Sequence, residues 1–156
     1  MQLKVKIAHK LITREWTVCL AESCTGGLLA HTLTNIPGSS AFFTASLVCY
    51  ANKAKTKLLG IPEALIKERG AVSLPVAQLM ATNAAHLFNS DFSIGITGIA
   101  GPGGGTRLKP VGLVFIAVRS REKLLTKRYI FKGSRLQIKR QACDKALKLL
   151  LSAMDH

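Results

Sequence analysis

The sequence lacks a long apolar run and any recognisable export signal. No apolar stretch reaches the roughly 18 residues that a membrane-spanning helix needs. The first residues mix lysines with apolar side chains at helical spacing, without the apolar block and small-residue cleavage site of a signal peptide. We therefore expect a soluble, cytoplasmic protein with no membrane association.

Paired cysteine motifs are also missing. The four cysteines, at positions 19, 24, 49 and 143, form neither a CxxC pair nor a CxxxH cluster. Their irregular spacing argues against a zinc site and a disulfide framework, and it is typical of a reducing compartment.

Acidic residues are scarce. The sequence has eight Asp and Glu residues against 22 Lys and Arg residues, which gives a formal net charge of +14. Residues 107–148 hold 13 of the basic side chains, with only Glu122 and Asp144 as acids. Such a charge attracts anions, whether phosphorylated metabolites or nucleic acid. The simplest interpretation is a solvated basic face, because charge alone specifies no partner.

Helical and strand patterns alternate along the chain, which predicts one α/β domain over residues 1–156. Gly60 is predicted to stop a helix, and Ser73 and Ser134 to cap two others. The loop between the third and fourth strands is short for a parallel crossover, so that pair is predicted to be antiparallel and the sheet mixed. The predicted strands number five, at 17–21, 42–50, 92–97, 111–119 and 126–131.

The segment AESCTGG, residues 21–27, is the first candidate for chemistry. A strand that enters a helix through this segment places Ser23 and Thr25 beside unpaired backbone amides. The amides and the helix dipole both favour a bound oxyanion or phosphate. The alternative is that Ser23 or Thr25 only caps the helix.

A nucleophilic serine needs a base, and Lys55 is the candidate. The histidines are poorly placed in the sequence, and no Ser-His-Asp order is visible. Lys55 follows the second predicted strand, near the sheet edge that bears Ser23, and it can act as a base if burial lowers its pKa. The alternative is that Lys53, Lys55 and Lys57 are three exposed lysines.

The segment TGIAGPGGGT, residues 97–106, is the third candidate. Its five glycines let the backbone approach a ligand closely and supply N–H donors. It matches neither the GxGxxG nor the GxxxxGK nucleotide pattern. The alternative is a turn that only joins two strands.

Together these stretches resemble the C-terminal domain of the competence-damage-inducible protein CinA. The resemblance covers essentially the whole chain, in AESCTGG, IPGSSAFF, YANKAK, LLGIP, GAVS, TGIAGPGGGT, KPVGLVFIA, GSR and KRQA. The family's stand-alone members are nicotinamide-nucleotide amidases. The resemblance therefore implies a three-layer α/β/α sandwich with a mixed sheet. It also implies hydrolysis of nicotinamide mononucleotide to nicotinate mononucleotide and ammonia.

The resemblance further implies a role for particular residues. Ser23 would be the nucleophile and Lys55 its base, and protonated Lys55 or Tyr50 would assist the departure of ammonia. A basic residue of the closing helix, either Arg135 or Arg140, would contact the substrate phosphate. The other implied substrate contacts are Cys24, Thr25, Gly26, Gly27, Thr97, Gly98, Gly101, Gly104 and Gly105. The chemistry needs no metal and no cofactor, and we expect a homo-oligomer, with a dimer favoured.

Two positions depart from the family pattern. Gly103 and Lys53 stand where members usually carry an acid, which is expected to affect substrate selectivity. The competing hypotheses are a non-catalytic domain that binds a pyridine nucleotide and a basic domain associated with nucleic acid. The basic stretch has few aromatics and no DNA- or RNA-binding motif, so nucleic-acid binding is expected to be at most non-specific.

Overall fold

The computed structural model describes residues 2–155 and is built around a five-stranded sheet. The strand order is β2-β1-β3-β4-β5, with β1 parallel to β2 and β3, and β4 antiparallel to both of its neighbours. The mixed sheet and the antiparallel β3–β4 pair confirm the sequence prediction. The strands are β1 (Val18–Glu22), β2 (Phe43–Val48), β3 (Phe92–Gly98), β4 (Leu113–Arg119) and β5 (Leu124–Ile130).

Helices cover both faces of the sheet, which confirms the three-layer α/β/α architecture. Helices α1, α2 and α6 pack on one face, and α3, α4 and α5 on the other. Their bounds are α1 (Leu3–Thr13), α2 (Leu28–Thr34), α3 (Asn52–Leu59), α4 (Glu63–Arg69), α5 (Leu74–Phe88) and α6 (Arg135–Met154). Within the described residues, no helix has the length and apolar character needed to cross a membrane.

Strand β1 is buried on both faces, as expected for a parallel strand between two helical layers. Successive side chains point to opposite faces of a strand. Leu20 therefore joins the core under α1, α2 and α6, whereas Cys19 and Ala21 join the core under α3 to α5.

The predicted helix boundaries are confirmed with one difference. Gly60 ends α3 in the left-handed conformation, and Ser134 begins α6 in a capping box with Gln137. Ser73 does occupy the N-cap position of α5, but its hydroxyl donates to the Gly70 carbonyl 2.8 Å away and caps nothing. Ser73 is therefore the N-cap residue of α5, as predicted, but its side chain does not cap the helix.

The parallel strands determine where the site forms. Strands β1, β2 and β3 run in the same direction, so their carboxyl ends meet at one edge of the sheet. Ser23 follows β1, Tyr50 follows β2, and Thr97 lies near the end of β3. This edge is where α/β folds usually bind ligands.

Candidate active site

Ser23 and Lys55 are in direct contact, and both are buried. Lys55 Nζ lies 2.9 Å from Ser23 Oγ, 2.8 Å from the Cys49 carbonyl oxygen and 3.0 Å from the Tyr50 carbonyl oxygen. Lys55 is 1% exposed and Ser23 is 7% exposed. Lys55 comes from the first turn of α3, which begins soon after β2 and turns the amine back toward the end of β1.

The Lys55 amine is buried among three oxygen atoms. Burial lowers the pKa of Lys55 below its ordinary value of 10.5. A neutral amine has two N–H donors and one lone pair, and the carbonyls of Cys49 and Tyr50 take both donors. The lone pair is then left for the hydroxyl proton of Ser23. The site can therefore accept that proton without any other group moving.

The carboxylate of Glu22 organises the turn after Ser23. One oxygen accepts from Thr25 Oγ1 at 2.6 Å, from the Gly27 amide at 3.1 Å and from the Leu29 amide at 3.2 Å. The other oxygen accepts from the Ala30 amide at 2.8 Å. The cap of α2 is therefore Glu22, and neither Ser23 nor Thr25 caps this helix with its side chain.

This arrangement corrects the expected role of the glycine amides. The amide of Gly27 donates to Glu22, and the amide of Gly26 donates to the Ser23 carbonyl at 3.1 Å. Both are used inside the turn. Within residues 2–155, the amides of Cys24 and Thr25 donate to no other residue. These two amides are the donors of the turn that remain for an oxyanion beside Ser23.

The pocket around Ser23 has a volume of about 170 Å³. Its lining includes four residues for which no role was predicted from the sequence. Asn52 begins α3, Ala71 and Val72 belong to the GAVS segment, and Ala100 belongs to the glycine loop. Those motifs were visible in the sequence, but nothing in them showed which side chains face the pocket. The lining residues are Ser23, Cys24, Tyr50, Asn52, Lys55, Ala71, Val72, Thr97, Gly98 and Ala100.

The glycine loop contributes only its beginning to the pocket. Thr97 Oγ1 donates to the Ala71 carbonyl at 2.9 Å, which ties β3 to the GAVS segment. A Cβ atom on Gly98 would lie 2.8 Å from the Leu113 carbonyl oxygen and 3.1 Å from Cys24 Sγ, so glycine permits this close packing. Gly104 and Gly105 lie on the exposed part of the loop, and the structure does not bring them to the pocket.

Arg135, rather than Arg140, lies at the mouth of the pocket. Its guanidinium donates to the Gly101 carbonyl at 2.6 Å and to the Tyr50 hydroxyl at 2.7 Å. Arg140 is five residues further along α6, about 140° around the helix axis. Tyr50 was expected to assist the departure of ammonia beside Ser23, but its 57% exposed side chain turns to Arg135, and its carbonyl is the part that contacts Lys55.

Sequence reasoning missed Lys139. Its Nζ lies 3.5 Å from the position that a Cβ atom would occupy on Gly26, so it faces the Ser23 turn. Lys139 is four residues after Arg135 on α6, and such a pair lies on one face of a helix. The four-residue spacing between Arg135 and Lys139 was the feature of the sequence that could have predicted this.

The cysteines do not compete with Ser23 as nucleophiles. Cys24 lines the same pocket, but burial raises the pKa of its thiol to about 12. A thiol with that pKa carries almost no thiolate near pH 7. In the part of the chain that the structure describes, no group of three or more His, Cys, Asp or Glu is arranged to hold a metal ion.

The two departures from the family pattern lie outside this pocket. Lys53 lines a separate groove of about 390 Å³ between α3 and α4, and that groove shares Asn52 with the Ser23 pocket. Gly103 is exposed, with no atom within 4 Å of an added Cβ. A larger cleft of about 420 Å³ includes Trp16 and Asp91, beside the amino ends of β1 and β3.

Comparison with known proteins identifies the relatives of this chain. The model of the CinA C-terminal domain family matches residues 1–154. A CinA-like protein of Geobacter sulfurreducens is 50% identical over 134 residues, covering 86% of this chain and 32% of that protein. A CinA-like protein of Geobacter metallireducens is 54% identical over 123 residues, covering 79% of this chain and 30% of that protein. The chain spans about a third of the length of the curated relatives it matches.

Solved structures agree with the fold. The competence/damage inducible protein CihA of Agrobacterium tumefaciens superposes with a TM-score of 0.95 at 38% identity, covering 99% of this chain and 94% of that chain. A competence-damaged protein (CinA) superfamily protein of Escherichia coli gives a TM-score of 0.93 at 34% identity, covering 97% of this chain and 88% of that chain.

Proposed function

Because the chain belongs to the CinA C-terminal domain family, we propose that it hydrolyses the carboxamide of a nicotinamide nucleotide. The proposed substrate is nicotinamide mononucleotide, and the products are nicotinate mononucleotide and ammonia. The observation that carries the proposal is the 2.9 Å contact between Ser23 Oγ and the buried Lys55 amine. The reaction uses no metal and no cofactor.

The first half of the reaction forms an acyl-enzyme. Neutral Lys55 takes the hydroxyl proton of Ser23 while Ser23 Oγ attacks the carboxamide carbon. The negative charge moves to the amide oxygen, and the Cys24 and Thr25 amides, which donate to no other residue within residues 2–155, are the proposed donors to it. Lys55, now an ammonium, returns the proton to the leaving nitrogen. The C–N bond breaks, ammonia departs and Lys55 is neutral again.

The second half releases the acid. Lys55 takes a proton from water, and the resulting hydroxide attacks the ester that Ser23 formed. The C–O bond to Ser23 breaks, the serine regains its proton from Lys55, and the carboxylate of the product leaves. Both halves use the same base in the same place.

The small pocket indicates how a nucleotide would lie. Its volume of about 170 Å³ is below the ~300 Å³ at which typical ligand sites begin. The pyridine ring and its carboxamide would occupy the pocket, and the ribose and phosphate would remain at the mouth. Arg135 and Lys139 lie there on one face of α6, and a guanidinium and an ammonium suit a phosphate.

The test is ammonia release from nicotinamide mononucleotide by the parent chain and by Ser23→Ala. Loss of the nucleophile prevents formation of the acyl-enzyme, so we expect kcat to fall by at least about a thousandfold. Ser152→Ala makes the same change on the exposed end of α6 and is expected to leave activity unchanged. Normal turnover by Ser23→Ala would exclude the serine mechanism. Tight nucleotide binding by the parent chain without ammonia release would favour a non-catalytic binding domain instead.

A further inference from the structure

Glu22 carries a buried carboxylate that the proposed reaction does not use. It is the last residue of β1 and is 0% exposed. A buried carboxylate is tolerated only where it is well hydrogen-bonded. Glu22 has five donors around it, namely Thr25 Oγ1 at 2.6 Å, Ala30 N at 2.8 Å, Gly27 N at 3.1 Å, Leu29 N at 3.2 Å and Ser46 Oγ at 3.5 Å.

Helix α2 depends on this carboxylate. The helix has only seven residues, and a helix of that length does not form by itself in water. Its N-cap is Gly27, which has a φ angle of +94° and no side chain to cap with. Glu22 supplies the missing acceptor from the sheet. The start of α2 is thereby attached to the end of β1.

Ser23 lies between the points that this attachment holds. Its own amide donates to the Ile96 carbonyl of β3 at 3.0 Å. On one side Glu22 is part of β1, and on the other Thr25 is bonded to the Glu22 carboxylate. The Ser23 backbone is therefore held from both directions, while α3 independently holds Lys55.

We propose that Glu22 is a positioning residue for Ser23. Its carboxylate, acting through Thr25 and the first amides of α2, determines the distance between Ser23 Oγ and Lys55 Nζ. The kinetic part of this inference rests on the proposed function. The reactivity of Ser23 toward a serine-directed probe does not, because a fluorophosphonate needs the activated hydroxyl but no nucleotide site.

The experiment compares Glu22→Gln, Thr25→Val, Thr25→Ser and Thr32→Val. Glu22→Gln keeps the size but turns one acceptor into a donor among N–H groups. Thr25→Val removes the 2.6 Å hydroxyl bond to Glu22, and Thr25→Ser keeps it. Thr32→Val is the matched control, because it removes a 2.7 Å hydroxyl bond to the Leu28 carbonyl in the same helix without touching Glu22.

Two measurements are made on each folded variant. One is the rate of fluorophosphonate labelling at Ser23, located by mass spectrometry. The other is kcat and KM for nicotinamide mononucleotide, with kcat expressed per labelled site so that misfolded protein does not count. Since a misplacement of about 1 Å can cost about a hundredfold, we expect Glu22→Gln to lower both the labelling rate and kcat by about 10- to 100-fold. KM should change by less than about threefold, because the phosphate contacts are elsewhere.

Thr25→Val should lower both rates by about tenfold, which is the loss of one charged hydrogen bond. Thr32→Val should stay within about threefold of the parent chain, and Thr25→Ser should recover most of the rate that Thr25→Val loses, because it keeps the hydroxyl bond to Glu22. If Glu22→Gln does not fold, the comparison of Thr25→Val with Thr25→Ser decides the matter.

Equal rates for Thr25→Val and Thr32→Val would overturn the inference. The inference would also be overturned if Glu22→Gln and Thr25→Val were less stable but retained the parent kcat per labelled site, because Glu22 would then only stabilise the fold. If the labelling rates follow the expected order but the parent chain releases no ammonia, the positioning role is supported and the proposed function is rejected. A parent chain that neither reacts at Ser23 nor releases ammonia would overturn both.

Discussion

At the scale of single residues, the environment of Lys55 differs from that of an ordinary surface lysine. It is buried, and its partners are two backbone carbonyls and one hydroxyl, none of which carries a charge. Such partners hold the amine in place without stabilising its charged form as a carboxylate would. This is how one side chain can be both well ordered and basic in the neutral form.

The lowered pKa of Lys55 predicts a pH dependence of activity. The neutral amine is the base, so kcat/KM should be low below the lowered pKa and rise as the pH increases through it. The midpoint should lie below the ordinary lysine value of 10.5, because burial disfavours the ammonium. A pH–rate profile with nicotinamide mononucleotide measures it, with Lys55→Met as the inactive reference. A midpoint at or above 10.5 would contradict the role of Lys55 as base.

Arg135 and Arg140 provide a matched pair of charge deletions on one helix. Arg135 lies at the pocket mouth and Arg140 points elsewhere, so Arg135→Ala should raise KM for nicotinamide mononucleotide by about tenfold. Arg140→Ala should leave KM within about twofold. With nicotinamide riboside, which has no phosphate, the effect of Arg135→Ala should disappear. An equal loss on both substrates would show that Arg135 only supports the loop.

At the scale of secondary-structure elements, the close approach of α5 to β3 depends on Gly95. A Cβ atom at this position would lie 2.5 Å from the Ala77 carbonyl oxygen and 2.6 Å from the Ala81 amide nitrogen. Both contacts are backbone atoms of α5, which cannot move aside individually. Helix α5 therefore sits directly on the centre of the sheet, under the strand that carries Thr97.

Gly95→Ala should for this reason lower the free energy of unfolding by about 2 kcal/mol or more, within the usual range for an overpacked core. Gly103→Ala is the control, because a Cβ atom there would meet nothing within 4 Å, and its effect should stay within about 0.5 kcal/mol. Urea denaturation of both variants measures the difference. If Gly95→Ala were as stable as Gly103→Ala, the packing of α5 on β3 would have to be looser than described.

At the scale of the whole molecule, the net charge of +14 is the feature that the proposed reaction explains least. One substrate phosphate needs two or three basic groups, whereas the chain has 22. A field of this sign raises the local concentration of any anion, including a nucleotide substrate and nucleic acid. The two kinds of partner differ in how strongly salt weakens their binding.

Salt should separate these two activities. A nucleic acid that contacts about six basic groups through its phosphates loses about a thousandfold in affinity between 50 and 200 mM salt. A single mononucleotide phosphate has no condensed counterion atmosphere to release, so its binding should weaken only modestly over the same range. We therefore expect weak DNA binding that disappears at 200 mM salt, and turnover of nicotinamide mononucleotide that persists there. Tight, sequence-selective DNA binding at physiological salt without ammonia release would favour the nucleic-acid hypothesis.

Local patterns in the sequence determined most of the fold. Apolar periodicity predicted the five strands to within a few residues, because burial of one face depends on spacing along the chain. The helix stop at Gly60 and the cap at Ser134 were also predicted, since both act within one helical turn. The short loop after β3 indicated the antiparallel partner. The motifs also named Ser23 and Lys55 as the pair to consider.

Tertiary structure decided what those groups are bonded to. The sequence could not show that Glu22 caps α2, that the Ser73 side chain does not cap α5, or that the glycine amides at 26 and 27 are used inside their turn. It left open whether Lys55 is buried and whether Arg135 or Arg140 faces the pocket. Each of these answers depends on atoms from other elements that meet at one edge of the sheet. Spacing along a chain determines which side chains share a face, but only packing determines what that face touches.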